Sequence, residues 1–249
     1  MNDKPAGIGS QTLLRGLDIL EAVAARQKTL AMLTAELGLT KSTVQRLAAS
    51  LVERGYLALV PRRGYRLGPQ VLALGFRLQN QLDLVQAARP YLEGLAQSSG
   101  DTVHLGVLAN DQALYLDKIP GSRRIEISSR VGELQPLTTT GIGKALLLDE
   151  SSARWEALFK AEQPQGIKAD WLERMKLYAA SGYAFDLEEN EDRIRCVSAP
   201  IRGGHGAIIG AISVSGAAQY MDDVRMAALT DEVRAVAGNI SKTLGWLPV

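Results

Sequence analysis

At 249 residues, with 46% hydrophobic and 22% charged side chains, the chain carries enough apolar material for one large folded core or two small ones, which excludes a disordered polymer. No apolar run approaches the roughly 18 residues of a membrane span, and Met1 to Ser10 lacks the basic start and apolar stretch of a secretion signal, so a cytoplasmic location is expected. Cys196 is the only cysteine, which rules out an internal disulfide and a multi-cysteine zinc module, and the net charge of +1 is uneven: the first 68 residues stand at +5 and the other 181 at −4.

Ser10 is placed to cap a first helix, in which Leu13, Leu17, Leu20 and Ala24 recur at intervals of three and four and predict one buried face. Thr29 opens a short second helix through Leu30, Leu33 and Leu37 that stops at Gly38. Thr40 opens a third, with Val44, Leu47, Ala48, Leu51 and Val52 on one face and Lys41, Ser42, Thr43, Gln45 and Arg46 at its start or on the outer face; Gly55 suits its end. Tyr56 to Val60 and Tyr65 to Leu67 read as two strands around a turn at Pro61 to Gly64, which makes a wing. Pro69 begins a further helix through Val71, Leu72, Leu74, Phe76 and Leu78, expected to join two domains.

From about Asp83 the pattern runs helix, strands, helices, strands and a closing helix, an α+β order rather than a βαβ series. Pro90 is expected to kink or divide the first helical stretch. Strands are predicted at 102–109, 113–119, 125–130, 183–187, 196–201 and 207–215, with hairpin turns at Asn110 to Gln112 and Gly203 to Gly206. The closing helix is predicted over 222–244. The chain thus reads as a winged helix-turn-helix domain over 1–68, a linker helix over 69–82 and a second domain over 83–249.

Two helices joined by a glycine-containing turn, with donors at the start of the second, match the way a recognition helix enters the major groove. Gln45 and Arg46 offer paired hydrogen-bond groups to base edges, while Lys41, Ser42 and Thr43 lie where phosphate contacts are common. Arg62, Arg63 and Arg66 on the wing suit the backbone or the adjacent minor groove. An isolated helix pair of this kind is equally an ordinary packed hairpin with a solvated basic face; the wing and the charge bias favour DNA.

The segment Leu39-Thr40-Lys41-Ser42-Thr43-Val44-Gln45-Arg46-Leu47, followed by Leu51, Gly55-Tyr56-Leu57 and Tyr65-Arg66-Leu67-Gly68, resembles the winged helix of IclR-type transcription regulators. So do Pro136-Leu137 with Gly143-Lys144-Ala145, and Gly182-Tyr183-Ala184 through Asp186, Glu188-Glu189, Cys196-Val197, Ala199-Pro200 and Ser213-Val214-Ser215-Gly216. The resemblance spans nearly the whole chain, and its carboxy-terminal motifs in this order are more selective than a winged helix alone. It implies a GAF-like effector-binding domain with a curved antiparallel sheet, a double-stranded DNA operator as partner, and a homodimer or dimer of dimers held partly through the DNA-binding halves.

The stretch Thr138 to Leu146 places hydroxyls and glycines where a helix begins, and free N–H groups there favour an anion. A nucleotide loop does not fit, because Ala145 follows Gly143-Lys144 where Ser or Thr is needed. Simple helix capping by these residues is the plainer reading. By resemblance, the amides of Gly141 and Ile142 take the acid group of a small organic acid effector, a sugar acid, keto acid or aromatic acid. Asp186, Cys196, Ser213 and Ser215 hydrogen-bond it, and Ile125 or Ile127 closes over it. Ser213 and Ser215 alternate along a strand and so share a face. Singly, a strand serine fills space and Cys196 is a small buried hydrophobe.

Two positions depart from the family pattern. Gly141 stands where many members have alanine, which is expected to enlarge the site slightly, and Arg193 stands where glycine is common, so the loop from Asn190 to Arg195 is expected to run differently. Thr138 and Arg124 are further polar candidates. The alternative is a cysteine-dependent hydrolase with Cys196 as nucleophile and His104 or His205 as base, or a redox sensor centred on Cys196. No spacing brings either histidine to the cysteine, and neither a metal nor a cofactor is expected. Effector binding is expected to change the sensor's packing and, through the 69–82 helix, the spacing of the two wings.

Overall fold

The chain divides into two units, Met1–Gln81 and Leu82–Val249; the computed structural model describes residues 10–74, 83–166 and 168–247, and in the first unit these form helices and a two-stranded wing. The helices are α1 (Gln11–Ala25), α2 (Leu30–Leu37) and α3 (Lys41–Glu53), followed by β1 (Leu57–Val60), β2 (Gly64–Leu67) and the start of α4, described over 69–74. The remainder of the predicted linker helix, 75–82, lies outside the described residues.

Local chemistry sets these boundaries. Thr29 and Thr40 cap α2 and α3 by accepting from Met32 N–H and Thr43 N–H, and Gly38 ends α2 in the left-handed region at φ 63°. Ile19, Val23, Leu33, Val44, Leu47 and Leu57 form the core. An antiparallel bridge ties Lys28 to Tyr65 across the foot of the wing, with N···O distances of 3.1 and 2.8 Å. Here glycine is required at 64: a Cβ would lie 2.3 Å from the Lys28 carbonyl oxygen.

The predicted buried stripe of α1 is corrected except at Leu20, which packs against the core. Ile19, Ala22 and Val23 face the core, whereas Leu13, Leu14 and Leu17 are 62%, 50% and 44% exposed and Ala24 is also exposed. The helix carries apolar residues on two sides, and the short unit has core for one of them.

The second unit is built on one six-stranded antiparallel sheet of order β5-β4-β3-β8-β7-β6. Its elements are α5 (Leu84–Ser99), β3 (Thr102–Ala109), β4 (Gln112–Ile119), β5 (Leu134–Gln135), α6 (Gly141–Leu146), α7 (Ser152–Glu162), α8 (Lys168–Ser181), β6 (Ala184–Leu187), β7 (Ile194–Arg202), β8 (Ile208–Ala217) and α9 (Asp223–Thr243). Alternation decides what each face meets. Val103, Leu105, Val197, Ile212 and Val214 pack with Leu92 of α5 and Val233 and Ile240 of α9. Ala113, Tyr115 and Ala211 pack on the other side with Ile142, Trp155, Phe159, Trp171 and Met175 from α6, α7 and α8.

Pro90 lies inside α5, which runs unbroken over sixteen residues, so the predicted division does not occur. The strand expected at 125–130 is also absent. That segment is irregular, β5 forms later at Leu134–Gln135, and the Ile127 and Ser129 carbonyls accept from the Lys118 ammonium instead of a neighbouring strand. Among the described residues, no helix is long and apolar enough to cross a membrane.

Candidate functional site

In the first unit, the face of α3 turned away from the core presents Lys41, Ser42, Gln45 and Arg46, all exposed, and continues through Ala49 and Ser50. Spacing of three to four residues from Gln45 and Arg46 points to those last two, although their small side chains drew no attention in the sequence. Thr43 is half-buried and belongs to the cap, with its hydroxyl 2.9 Å from Thr40 Oγ1. On the wing, Arg62, Arg63 and Arg66 are exposed, and Arg62 occupies the left-handed region at φ 63°. Among the described residues, the one ion pair of this unit joins Lys28 to Glu36. Among the described residues, the cations of α3 and the wing therefore have no carboxylate partner in an ion pair.

In the second unit, a cavity of about 130 Å³ opens on the sheet face that carries α6. His104, Tyr115 and Ser215 line it from β3, β4 and β8, Asp186 and Cys196 from β6 and β7, and Thr140 from the turn before α6. Ile127, Ser128, Ser129 and Glu133 form one side, and Asn190, Glu191 and Ile194 form another. Of the eight residues named from the sequence, Ile127, Asp186, Cys196 and Ser215 therefore line one pocket.

The other four are placed differently. Ser213 is buried beneath the lining, with its Oγ 3.3 Å from Ser215 Oγ and 3.5 Å from His104 Nδ1. Ile125 is 42% exposed and is not part of the lining. Ile142 sends its side chain into the core, Gly141 is buried behind Cys196 with its N–H directed at the Cys196 sulfur, and neither residue lines the cavity. Glycine at 141 does not enlarge the pocket. A Cβ there would lie 2.5 Å from both Cys196 Sγ and Ser198 Oγ, so its absence lets α6 sit against β7.

The start of α6 is tied down from both sides. The Glu162 carboxylate accepts from the N–H groups of Leu137 and Thr138 at 2.9 and 2.8 Å and from Thr138 Oγ1 at 2.6 Å, which turns Thr138 away from the pocket. Buried Lys144 pairs with Glu189, whose own N–H donates to Asp186 Oδ1 at 2.9 Å. Arg124 is exposed and does not line the pocket. The turn that follows β6 carries Glu188 and Arg193 at φ 68° and 65°. Arg193 thus adopts the left-handed backbone for which glycine is favoured.

His104, Tyr115, Ser129 and Glu133 were not assigned to the site from the sequence. His104 was legible by alternation, because it stands between Val103 and Leu105, which belong to the opposite face. Tyr115 was not legible, since a register shift between Leu105 and Gly106 skips one residue of β4 and changes the faces beyond it.

Burial dominates the electrostatics. It raises the Asp186 carboxyl to about 6, against the opposing pull of the Lys144 ammonium and the Glu189 amide. It lowers His104 to about 3, helped by the nearby charge of Lys118, so the imidazole is neutral at pH 7. It also pushes the Cys196 thiol up to about 12, with the Asp186 charge adding to the effect. A thiol in that state is neither a nucleophile nor a redox centre at neutral pH. The His104 nitrogens meet Ser129, Ser213 and Ser215, and His205 is exposed in the β7–β8 turn. The lining carries Glu133, Asp186 and Glu191 and no lysine or arginine among the described residues.

Two family descriptions match the chain: the IclR helix-turn-helix domain over residues 12–61 and the bacterial transcriptional regulator IclR C-terminal domain over 76–242. The HTH-type transcriptional regulator XynR of Escherichia coli K12 is 31% identical over 246 residues, covering 95% of this chain and 98% of its own. The DNA-binding transcriptional repressor YiaJ of the same organism is 30% identical over 257 residues, covering 98% and 90%. Among solved structures, the repressor BlcR of Agobacterium tumefaciens superposes with a TM-score of 0.80 at 28% identity, covering 94% of this chain and 97% of that one.

Proposed function

The chain belongs to the IclR family of bacterial transcription regulators, and from that membership we propose that its second unit senses a small hydroxylated organic acid and thereby controls operator binding by the first. It is a DNA-binding regulator and not an enzyme. The single observation that carries the finer reading is the convergence of Asp186, Cys196 and Ser215 on one polar cavity beside the start of α6.

With no lysine or arginine in the lining among the described residues, the acid group is assigned to the start of α6, where the amides of Gly141 and Ile142 follow the lining residue Thr140. Hydroxyls on the same molecule are the natural partners of Asp186 and Ser215, which Ser213 supports from behind, while Ile127 supplies an apolar contact. Sugar acids satisfy both demands better than keto or aromatic acids. In the first unit, Gln45 and Arg46 read base edges, Lys41 and Ser42 meet phosphates at the helix start that Thr43 helps to cap, and Arg62, Arg63 and Arg66 reach the backbone or minor groove.

The functional division follows 1–68 for DNA binding, 69–82 for the linker and 83–249 for sensing, and the regulator works in the cytoplasm, where its operator lies. Self-association as a homodimer, or a dimer of dimers on DNA, is supported by the exposed Leu13, Leu14 and Leu17 on α1, an apolar stripe that the described residues of the unit leave uncovered.

Calorimetry of the purified protein with a panel of hydroxy, keto and aromatic acids tests the sensing reading. One hydroxy acid should bind to the wild type and fail to bind to a folded Ser215→Ala variant; unchanged binding in that variant counts against the site. Sequencing genomic fragments retained by the protein tests the regulator and identifies the operator, which should be near-palindromic.

A further inference from the structure

One side of the pocket is a segment without regular structure, residues 120–133, and its two ends are fastened to the sheet. At the first end, Ser122 N–H donates to the Gly100 carbonyl at 3.0 Å, and Arg123 pairs with buried Asp101 at 2.5 Å. At the second, Gly132 N–H donates to the Tyr115 carbonyl at 2.8 Å, and Tyr115 N–H returns a bond to Glu133 at 3.0 Å. Between these anchors, the hydrogen bonds that hold the segment come from two side chains of the sheet.

Lys118 Nζ donates to the carbonyls of Ile127 and Ser129 at 2.6 and 2.7 Å. His104 Nε2 lies 2.7 Å from Ser129 Oγ. His104 and Lys118 are direct partners in the β3–β4 ladder, so they project side by side from the sheet and meet the same short stretch of backbone. Ile127 and Ser129, the residues they hold, line the cavity. A chain segment with no ladder of its own is fixed by whatever satisfies its carbonyls, and an ammonium on two carbonyls is among the stronger forms of that contact.

We infer that His104 and Lys118 are positioning residues that latch the 124–129 segment over the sensing pocket, so that the Lys118 contact sets how often the pocket opens. The inference rests on reading this cavity as the effector site, but its test needs neither effector nor DNA. The pocket contains its own reporter, because Cys196 is the only cysteine of the chain and lines the cavity. Cys196 is buried and its thiol unreactive in that state, so a small uncharged thiol reagent modifies it when the segment beside it moves away and admits water.

The rate at which methyl methanethiosulfonate modifies Cys196 in the full-length native protein reads the open fraction. Lys118→Met should label about tenfold faster than wild type or more, with the same urea midpoint and the same pH dependence of the rate. Lys118→Arg, which keeps a charged donor, should return the rate toward wild type. Equal rates in wild type and Lys118→Met overturn the latch, as does an acceleration that merely tracks the globally unfolded fraction. Should Lys118→Met not fold, Ser129→Ala decides: faster amide exchange confined to 124–129, with β3 and β4 unchanged, supports the latch, and unchanged exchange refutes it. An acid panel without a ligand would strike the sensing proposal alone, whereas unaltered labelling would strike the latch alone.

Discussion

Asp186 and Cys196 are direct partners in the β6–β7 ladder, and both side chains line the same cavity. The carboxyl is held near 6 and the thiol near 12, chiefly because each is withdrawn from water. The pairing converts two residues ten positions apart in the chain into one polar floor.

Asp186 ionises near pH 6 in the fold against an ordinary 3.8. A raised carboxyl binds its proton more tightly when folded, so its favourable contribution is fully present below about pH 4 and is lost as pH rises through 6. Asp186→Asn removes that dependence while keeping an acceptor for the Glu189 N–H. Urea unfolding should therefore show the variant gaining on wild type between pH 4 and 7, with a ceiling of about 3 kcal/mol. Parallel curves for the two proteins across that range would contradict the burial argument.

Buried Lys144 and its partner Glu189 should respond unequally to mutation. Glu189 is also paired with Arg174 at 2.5 Å, so Lys144→Met leaves the carboxylate with a cation. Glu189→Gln instead removes the carboxylate paired with an ammonium whose side chain is only 1% exposed, leaving the Asp186 carboxyl as its acidic neighbour. Unfolding measurements should give the glutamine variant the larger loss, about 3 to 5 kcal/mol, and the methionine variant a clearly smaller one.

Gly141→Ala should be destabilising by about 1 to 3 kcal/mol, because the added methyl meets both Cys196 Sγ and Ser198 Oγ. Cys196→Ala removes one of the two obstacles. The double variant should accordingly lose less than the summed single losses, and a cycle with additive free energies would show that the close approach is relieved elsewhere.

Arg46→Ala and Arg62→Ala should weaken DNA binding in different ways. The first removes an exposed side chain of α3 assigned to base edges, with an expected cost of about 1 to 3 kcal/mol against the specific operator and little against unrelated DNA. The second removes an exposed wing charge and should weaken all sequences alike, lowering the salt slope by about one. Mobility-shift titrations at several salt concentrations separate the two patterns.

Much of the first unit was legible because its signals are local. Thr29, Gly38 and Thr40 mark helix ends through contacts made within three or four residues, and the wing announces itself by a turn between two short apolar runs. The α1 stripe was misread because periodicity finds an apolar face without saying what covers it. Leu13 and Leu17 repeat as regularly as Ile19 and Val23 do, and only packing distinguishes them. In the second unit, Ile125 to Arg130 read as a strand because β-branched residues and spacing were all that could be weighed. The segment takes its order from Lys118 and His104 side chains, a tertiary arrangement that no local pattern records.

By itself, the sequence determined the order of elements outside the 120–135 stretch, the charge bias of the winged helix and the residue types of a sensing site, since capping, alternation and turn chemistry act over a few neighbouring residues. Tertiary structure alone decided which of those residues meet: Asp186 and Cys196 by ladder register, Tyr115 by a skipped residue in β4, and the glycine at 141 by the approach of α6 to β7. Register and close approach depend on how distant segments share one core, and a linear pattern carries no measure of distance between them.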